Sequence, residues 1–142
     1  MTQFIKGPWK SGEDEAYKKL APDFLLVKKG LGFVGILGDS LPREKHEEAA
    51  RGALNFARVQ AMTGKWDIII LDEVNNAVDL KLITAEEVLR FAEEAEAKTE
   101  HLIFTGRVAP PEFLEKADLV TEMKDAKHPY QEGKKGRRGL EY

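Results

Sequence analysis

Two adjacent carboxylates stand directly after an unbroken apolar run: Trp66-Asp67-Ile68-Ile69-Ile70-Leu71 leads into Asp72 and Glu73, with Val74, Asn75 and Asn76 following. A continuous β-branched run of this kind predicts a strand buried on both faces. A strand that delivers neighbouring acids to a sheet edge is the Walker B arrangement, in which one acid holds Mg²⁺, directly or through water, and the other orders a water or a ligand. The plainer alternative is that the acids end the strand and cap the next helix. Asn75 and Asn76 favour the first reading, because they add polar groups where a surface turn needs none.

Two further segments carry candidate chemistry. Thr105-Gly106-Arg107 ends an apolar run from His101. Glycine there permits close backbone approach and arginine offers a fork for phosphate oxygens, although an arginine after a strand can equally be structural. Phe4 to Glu13 combines a strand end, glycines, Lys6, Lys10 and a helix start. That combination suits anion binding, and its alternative is a glycine-rich turn with Trp9 packed against the core. His46 and His101 read as surface or satisfied residues. The three histidines show no metal-ligand spacing, and no GxSxG, GxGxxG or GxxxxGK(S/T) motif occurs.

The elements that must position these groups alternate. Thr2 to Ile5 reads as the end of a strand, and Ser11 as the cap of a short helix whose first turn holds Glu13 and Asp14. Phe24 to Val27 and Phe33 to Leu37 are strand candidates, set apart by Gly30 and Gly32. Pro42 to Met62 is a helix with Ala50, Leu54, Ala57 and Ala61 on one face. Thr84 and Glu87 make a capping box for a helix to about Lys98. His101 to Thr105 is a strand, Pro110-Pro111 open a short helix to Lys116, and Leu119 to Met123 is a final strand. Apolar strands alternating with helices predict an α/β fold, a mostly parallel sheet flanked by helices on both faces. Ligands of such sheets collect at the carboxyl ends of strands, which selects the segments after Ile5, Leu71 and Phe104.

Composition narrows the function classes. The chain has 142 residues, 42% hydrophobic and 33% charged, which fits a single domain over residues 1–142. A net charge of -3 argues against a protein that neutralises duplex phosphates, the basic tail with Lys134, Lys135, Arg137 and Arg138 being a local exception. The absence of cysteine excludes disulfides, thiolate metal sites and cysteine nucleophiles. The apolar run from Ile68 to Leu71 is too short to span a bilayer. The N-terminus lacks a secretory pattern, so the expectation is a cytoplasmic protein with neither nucleic-acid nor membrane partners.

Taken in order, these segments resemble the P-loop type of ATP:corrinoid adenosyltransferase. The resemblance runs nearly end to end: Gln3-Phe4-Ile5-Lys6-Gly7 with Trp9 and Gly12-Glu13; Asp67 to Asn75; Thr105-Gly106-Arg107 with Pro110-Pro111-Glu112; Ala117 to Met123; Lys127-His128-Pro129-Tyr130; and Gly139-Leu140-Glu141-Tyr142. It implies transfer of the 5′-deoxyadenosyl group of ATP to the cobalt of a reduced corrinoid, cob(I)alamin or a precursor, with Mg²⁺ offsetting charge on the leaving triphosphate. It implies Glu73 as the Mg²⁺ ligand with Asp72 as its neighbour, Arg107 as a nucleotide contact, and Lys6, Gly7 and Trp9 near the same edge. Leu41, in Gly38-Asp39-Ser40-Leu41-Pro42-Arg43, is the apolar candidate for the corrinoid face. A reductase is the implied partner, and the apolar sheet edges that a missing strand would leave uncovered predict a homo-oligomer.

In this family a strand, a glycine-rich loop with a Lys-Thr pair and a helix precede the segment that matches Thr2 to Gly7. The chain is therefore expected to be N-terminally truncated relative to the family: P-loop NTPase-like, with the first strand, P-loop and first helix missing. The alternative to an enzyme is a non-catalytic corrinoid- or nucleotide-binding protein or fragment derived from the family, and a GxxxxGK(S/T) encoded upstream of Met1 separates the two.

Overall fold

Four short strands, Thr2–Gln3 (β1), Val27–Lys28 (β2), Ile68–Asp72 (β3) and His101–Phe104 (β4), pair in the order β2-β1-β3-β4. Every pairing is parallel, as the alternating pattern predicts. The structure, a computed structural model, describes residues 1–36 and 38–133. Leu37, the tail from Lys134 to Arg138 and the closing Gly139 to Tyr142 lie outside the described residues.

Parallel neighbours need crossovers, and helices supply them. Glu13–Ala16 (α1) follows β1, Arg43–Met62 (α2) joins β2 to β3, Val74–Asp79 (α3) and Ala85–Ala95 (α4) join β3 to β4, and Pro111–Lys116 (α5) follows β4. Helix α2 begins directly after Pro42, whose ring fixes φ at -60. It buries His46, Ala50, Ala53, Leu54, Ala57 and Ala61, a stripe at helical spacing. Helix α4 starts on the expected capping box: Thr84 Oγ1 accepts the Glu87 N–H at 3.1 Å, and the Glu87 carboxylate accepts the Thr84 N–H at 2.7 Å.

The core lies against one face of the sheet. Phe4, Ile69 and Leu71 pack with the α2 alanines, with Val88 and Phe91 of α4 and with Phe113 of α5. The alternate positions are open, Ile68 at 50% exposure and Ile103 at 41%. The apolar run was expected to be buried on both faces; in the described residues the period-two pleat divides it into a covered side and an uncovered one.

Four local expectations also change. Phe33 to Ile36 is a series of bends with no strand, because positive φ at Gly32, Gly35 and Gly38 turns the chain repeatedly. The strand expected from Phe24 starts only at Val27, since the Phe24 N–H returns to Leu20 O in a helical turn. Leu119 to Met123 is not a strand: β4 is the last strand of the described sheet, and no neighbour offers the segment a hydrogen-bonding ladder. Ser11 does not cap α1: Gly12 is the N-cap and no side chain caps it, while the Ser11 N–H donates to the Asp14 carboxylate at 2.7 Å.

A paired substitution tests the one-sided core. Ile69→Ala, at a covered position, should cost about 2–5 kcal/mol, whereas Ile68→Ala should cost less than about 1.5 kcal/mol. Urea unfolding of the 142-residue chain measures both, and equal losses would contradict the open face.

Candidate functional site

The parallel register brings the carboxyl ends of β1, β3 and β4 to one edge, and the polar residues after each strand meet there. Gln3 and Asp72 are paired in the β1–β3 ladder, so their side chains share a face. Gln3 is 1% exposed, and its Nε2 donates to Asp72 Oδ2 at 3.0 Å. From the β4 side the Thr105 hydroxyl donates to Asp72 Oδ1 at 2.8 Å and accepts the Glu73 N–H at 3.1 Å. Asp72 is thereby engaged on both oxygens and braces three strands.

Glu73 is the freer acid. Its backbone is left-handed, at φ 63 and ψ 23, a conformation that costs a non-glycine residue roughly 1 kcal/mol and that clusters at functional sites. Among the described residues no hydrogen bond or ion pair engages its carboxylate. Burial pushes that carboxyl above its ordinary range and the neighbouring charge of Asp72 adds to the effect, while Lys6 and Arg107 pull the other way.

Lys6 follows β1 and pairs with Glu13 Oε1 at 2.8 Å. That hydrogen bond raises the Lys6 pKa. Glu13 also accepts from the Ser11 hydroxyl at 3.2 Å and from Gln3 Nε2 at 3.4 Å. Burial works against its charge, yet the Lys6 contact with these hydrogen bonds holds its pKa below the usual range. Gln3 thus connects the Lys6–Glu13 pair to the Asp72 brace.

Trp9 does not pack into the core. It is 59% exposed and lies over Gly7 and Gly32, where any Cβ would collide with its six-membered ring. Phe33 stands against it, ring centroids 5.7 Å apart. These two rings form an apolar shelf beside the charged edge, and Leu31, Ile36 and Leu41, on the segment that runs from β2 to α2, are exposed as well. Leu41 lies at the far end of that segment, just ahead of α2. Arg107 is exposed, and its backbone N–H donates to Asn76 Oδ1 at 2.7 Å. Gly106, at φ 135, fits against Asn75 and Asn76, where a Cβ would overlap the Asn76 side chain. The two asparagines therefore lock the turn after β4 onto α3.

Lys6, Asp72, Glu73 and Arg107 come together at the edge, while Gly7 and Trp9 belong to the adjoining shelf and Leu41 stands apart, exposed just ahead of α2. Sequence reading assigned no role to Gln3, Glu13 or Thr105 within this network. The signal for Glu13 was its place two residues after Ser11 in a loop already rich in lysine and glycine.

The donor chemistry bears on a divalent cation. The set is oxygen-only, with one uncommitted carboxylate next to a braced one, and the buried Gln3 Oε1 has no protein partner. Among the described residues no three ligating side chains converge on a metal position. Such a set fits Mg²⁺, which keeps most of its waters and takes one or two carboxylates together with substrate phosphates.

An α/β domain with a braced acid pair at the carboxyl edge of a parallel sheet and an aromatic shelf beside it belongs to the class that binds ligands across strand ends. The model of the ATP:corrinoid adenosyltransferase family BtuR/CobO/CobP matches residues 1–142, and the chain belongs to that family. It is 34% identical over 143 residues to a corrinoid adenosyltransferase of Sinorhizobium sp, covering all of this chain and 65% of that protein. It is 29% identical to one of Escherichia coli K12 and 27% identical to one of Salmonella typhimurium, in each case over all of this chain and 69% of the relative. The chain thus spans about two thirds of the length of these curated relatives. No helix among the described residues is long and apolar enough to cross a membrane.

Glu73 yields a pH test. A carboxyl whose pKa is raised by folding contributes stability that is present below its unfolded value and lost as pH rises through the folded one. Glu73→Gln should therefore raise the melting midpoint of the ligand-free chain at pH 7, and the gain should vanish below about pH 4. Calorimetry at the two pH values checks this, and a less stable variant at pH 7 would show that the carboxylate is favourably engaged in the folded state.

Proposed function

We propose that the chain serves ATP:corrinoid adenosyl transfer. The observation that carries this reading is the adjacency, on one sheet edge, of the uncommitted Glu73 carboxylate and the apolar Trp9–Phe33 shelf, in a chain that belongs to this family. A triphosphate with its cation requires the first, and a corrin macrocycle, broad and largely apolar, requires the second.

In this reading Glu73 holds Mg²⁺, and Asp72, fixed by Gln3 and Thr105, keeps the turn that presents it. Mg²⁺, when bound, offsets negative charge on the departing triphosphate. Lys6 and Arg107 face the nucleotide, and Gly7, Trp9 and Leu41 line its boundary with the corrinoid. Co(I) of the corrinoid attacks the ribose C5′, the C5′–O5′ bond breaks, and triphosphate leaves with the electron pair. The product carries a Co–C bond with cobalt formally Co(III). The protein contributes by holding carbon and cobalt in line, which lowers the entropic part of the barrier. An external reductase regenerates Co(I), in keeping with a cytoplasmic setting.

The test joins a relative's strand, GxxxxGK(S/T) loop and helix ahead of Met1 and follows cobalamin adenosylation by absorbance under reducing conditions. Activity should appear, and Glu73→Gln should lower its rate at least tenfold, roughly 1.4 kcal/mol of transition-state stabilisation. Full activity in that variant would remove Glu73 from the site.

We further propose a homo-oligomer. The exposed Ile68 and Ile103 and the outer edge of β4 form a surface of the kind that chains cover by association. Light scattering of the 142-residue chain at micromolar concentration should give a dimer or larger species, and a stable monomer would count against it.

A further inference from the structure

The loop between β2 and α2 presents three apolar side chains to solvent: Phe33 at 46% exposure, Ile36 at 59% and Leu41 at 44%. Positive φ at Gly32, Gly35 and Gly38 shows how freely such a segment can turn. One buried pair fixes it. Asp39 Oδ2 accepts the Gly35 N–H at 2.8 Å, and Asp39 Oδ1 accepts the Leu41 N–H at 3.0 Å. Asp39 Oδ2 also lies 3.0 Å from His46 Nε2 on α2. The two side chains are only 8% and 2% exposed. Both halves of the loop are thus tied to one carboxylate, and that carboxylate is tied to the helix that packs on the sheet.

A tie serving stability alone would gain by turning the apolar side chains inward, since each one buried contributes about 1.5–3 kcal/mol. This one buries the polar pair and leaves the apolar groups outside, Phe33 against Trp9. Such an arrangement is worth its desolvation cost when a ligand covers those groups later, because ordering the loop beforehand lowers the entropy lost on binding. We propose that the Asp39–His46 pair is a positioning clamp for corrinoid binding, tying down Gly35 and Leu41 so that Phe33, set against Trp9, and the exposed Ile36 and Leu41 stay presented before the ligand arrives. This inference rests on the corrinoid reading of the shelf.

The test uses the 142-residue chain carrying Trp66→Phe, so that Trp9 is the fluorophore, and titrates it with cobalamin. Asp39→Ala and His46→Leu should each raise the half-saturating cobalamin concentration about tenfold, the loss of roughly one buried hydrogen bond. Amide exchange should quicken at Gly35 and Leu41 while α4 stays protected. His46→Gln, which keeps a donor at a similar reach, should recover most of the affinity. Faster exchange at Gly35 and Leu41 with unchanged cobalamin affinity would overturn the proposal. So would failure of His46→Gln to recover affinity, or loss of protection throughout α2 and α4, which marks a merely structural pair. Absence of quenching in the parent chain would instead remove the corrinoid reading, and the clamp's purpose with it.

Discussion

The Asp72 carboxylate is the interaction on which the edge of the molecule depends. It sits at the end of the central strand β3 and takes one donor from each neighbour, Gln3 of β1 and Thr105 just after β4. A carboxylate bridging three strands fixes their relative register at the place where their backbones part. Thr105 passes the constraint on, because the hydroxyl that donates to Asp72 also receives the Glu73 N–H. Glu73 is thereby held in its left-handed turn, and α3 starts where that turn ends. One acid serves as scaffold so that its neighbour remains available.

That division of labour explains the polar character of an otherwise apolar interior. Gln3 and Asn75 are buried, and each keeps one side-chain oxygen without a protein partner. Unsatisfied buried acceptors cost about 1–3 kcal/mol each, so a fold selected for stability alone would avoid two of them at one edge. The same edge carries a strained acid and an exposed tryptophan seated on glycines. Free energy gathered by the α2 and α4 core is given up where ligands are expected.

Much of this was legible in the sequence, and the reasons for success and failure differ. The run Ile68 to Leu71 with its following acids, the alanine face of α2 and the Thr84–Glu87 box are local patterns, read within one turn of helix or one strand. The carboxyl-edge rule then placed Lys6, Glu73 and Arg107 together without knowledge of any contact. The network that holds them was hidden, because Gln3 and Asp72 are 69 residues apart and Thr105 and Asp72 are 33 apart. Two strand expectations failed for a related reason. Phe33 to Leu37 and Leu119 to Met123 have strand composition, but a strand also needs a partner edge, and apolar composition alone does not supply one.

The alanine lining of α2 carries one more implication. Ala50, Ala53, Ala57 and Ala61 let the helix axis approach the sheet closely, with no rotamers to rearrange. An interface made of methyl groups has almost no slack: a single added methylene would displace the helix and, through β3, the acids at its end. Substitution is easier at exposed loop side chains such as Ile36 and Leu41, which no core packing holds, than anywhere along the buried stripe of α2. The molecule separates the part that must not vary from the part that is free to diversify, and the boundary between them runs along the ends of the strands.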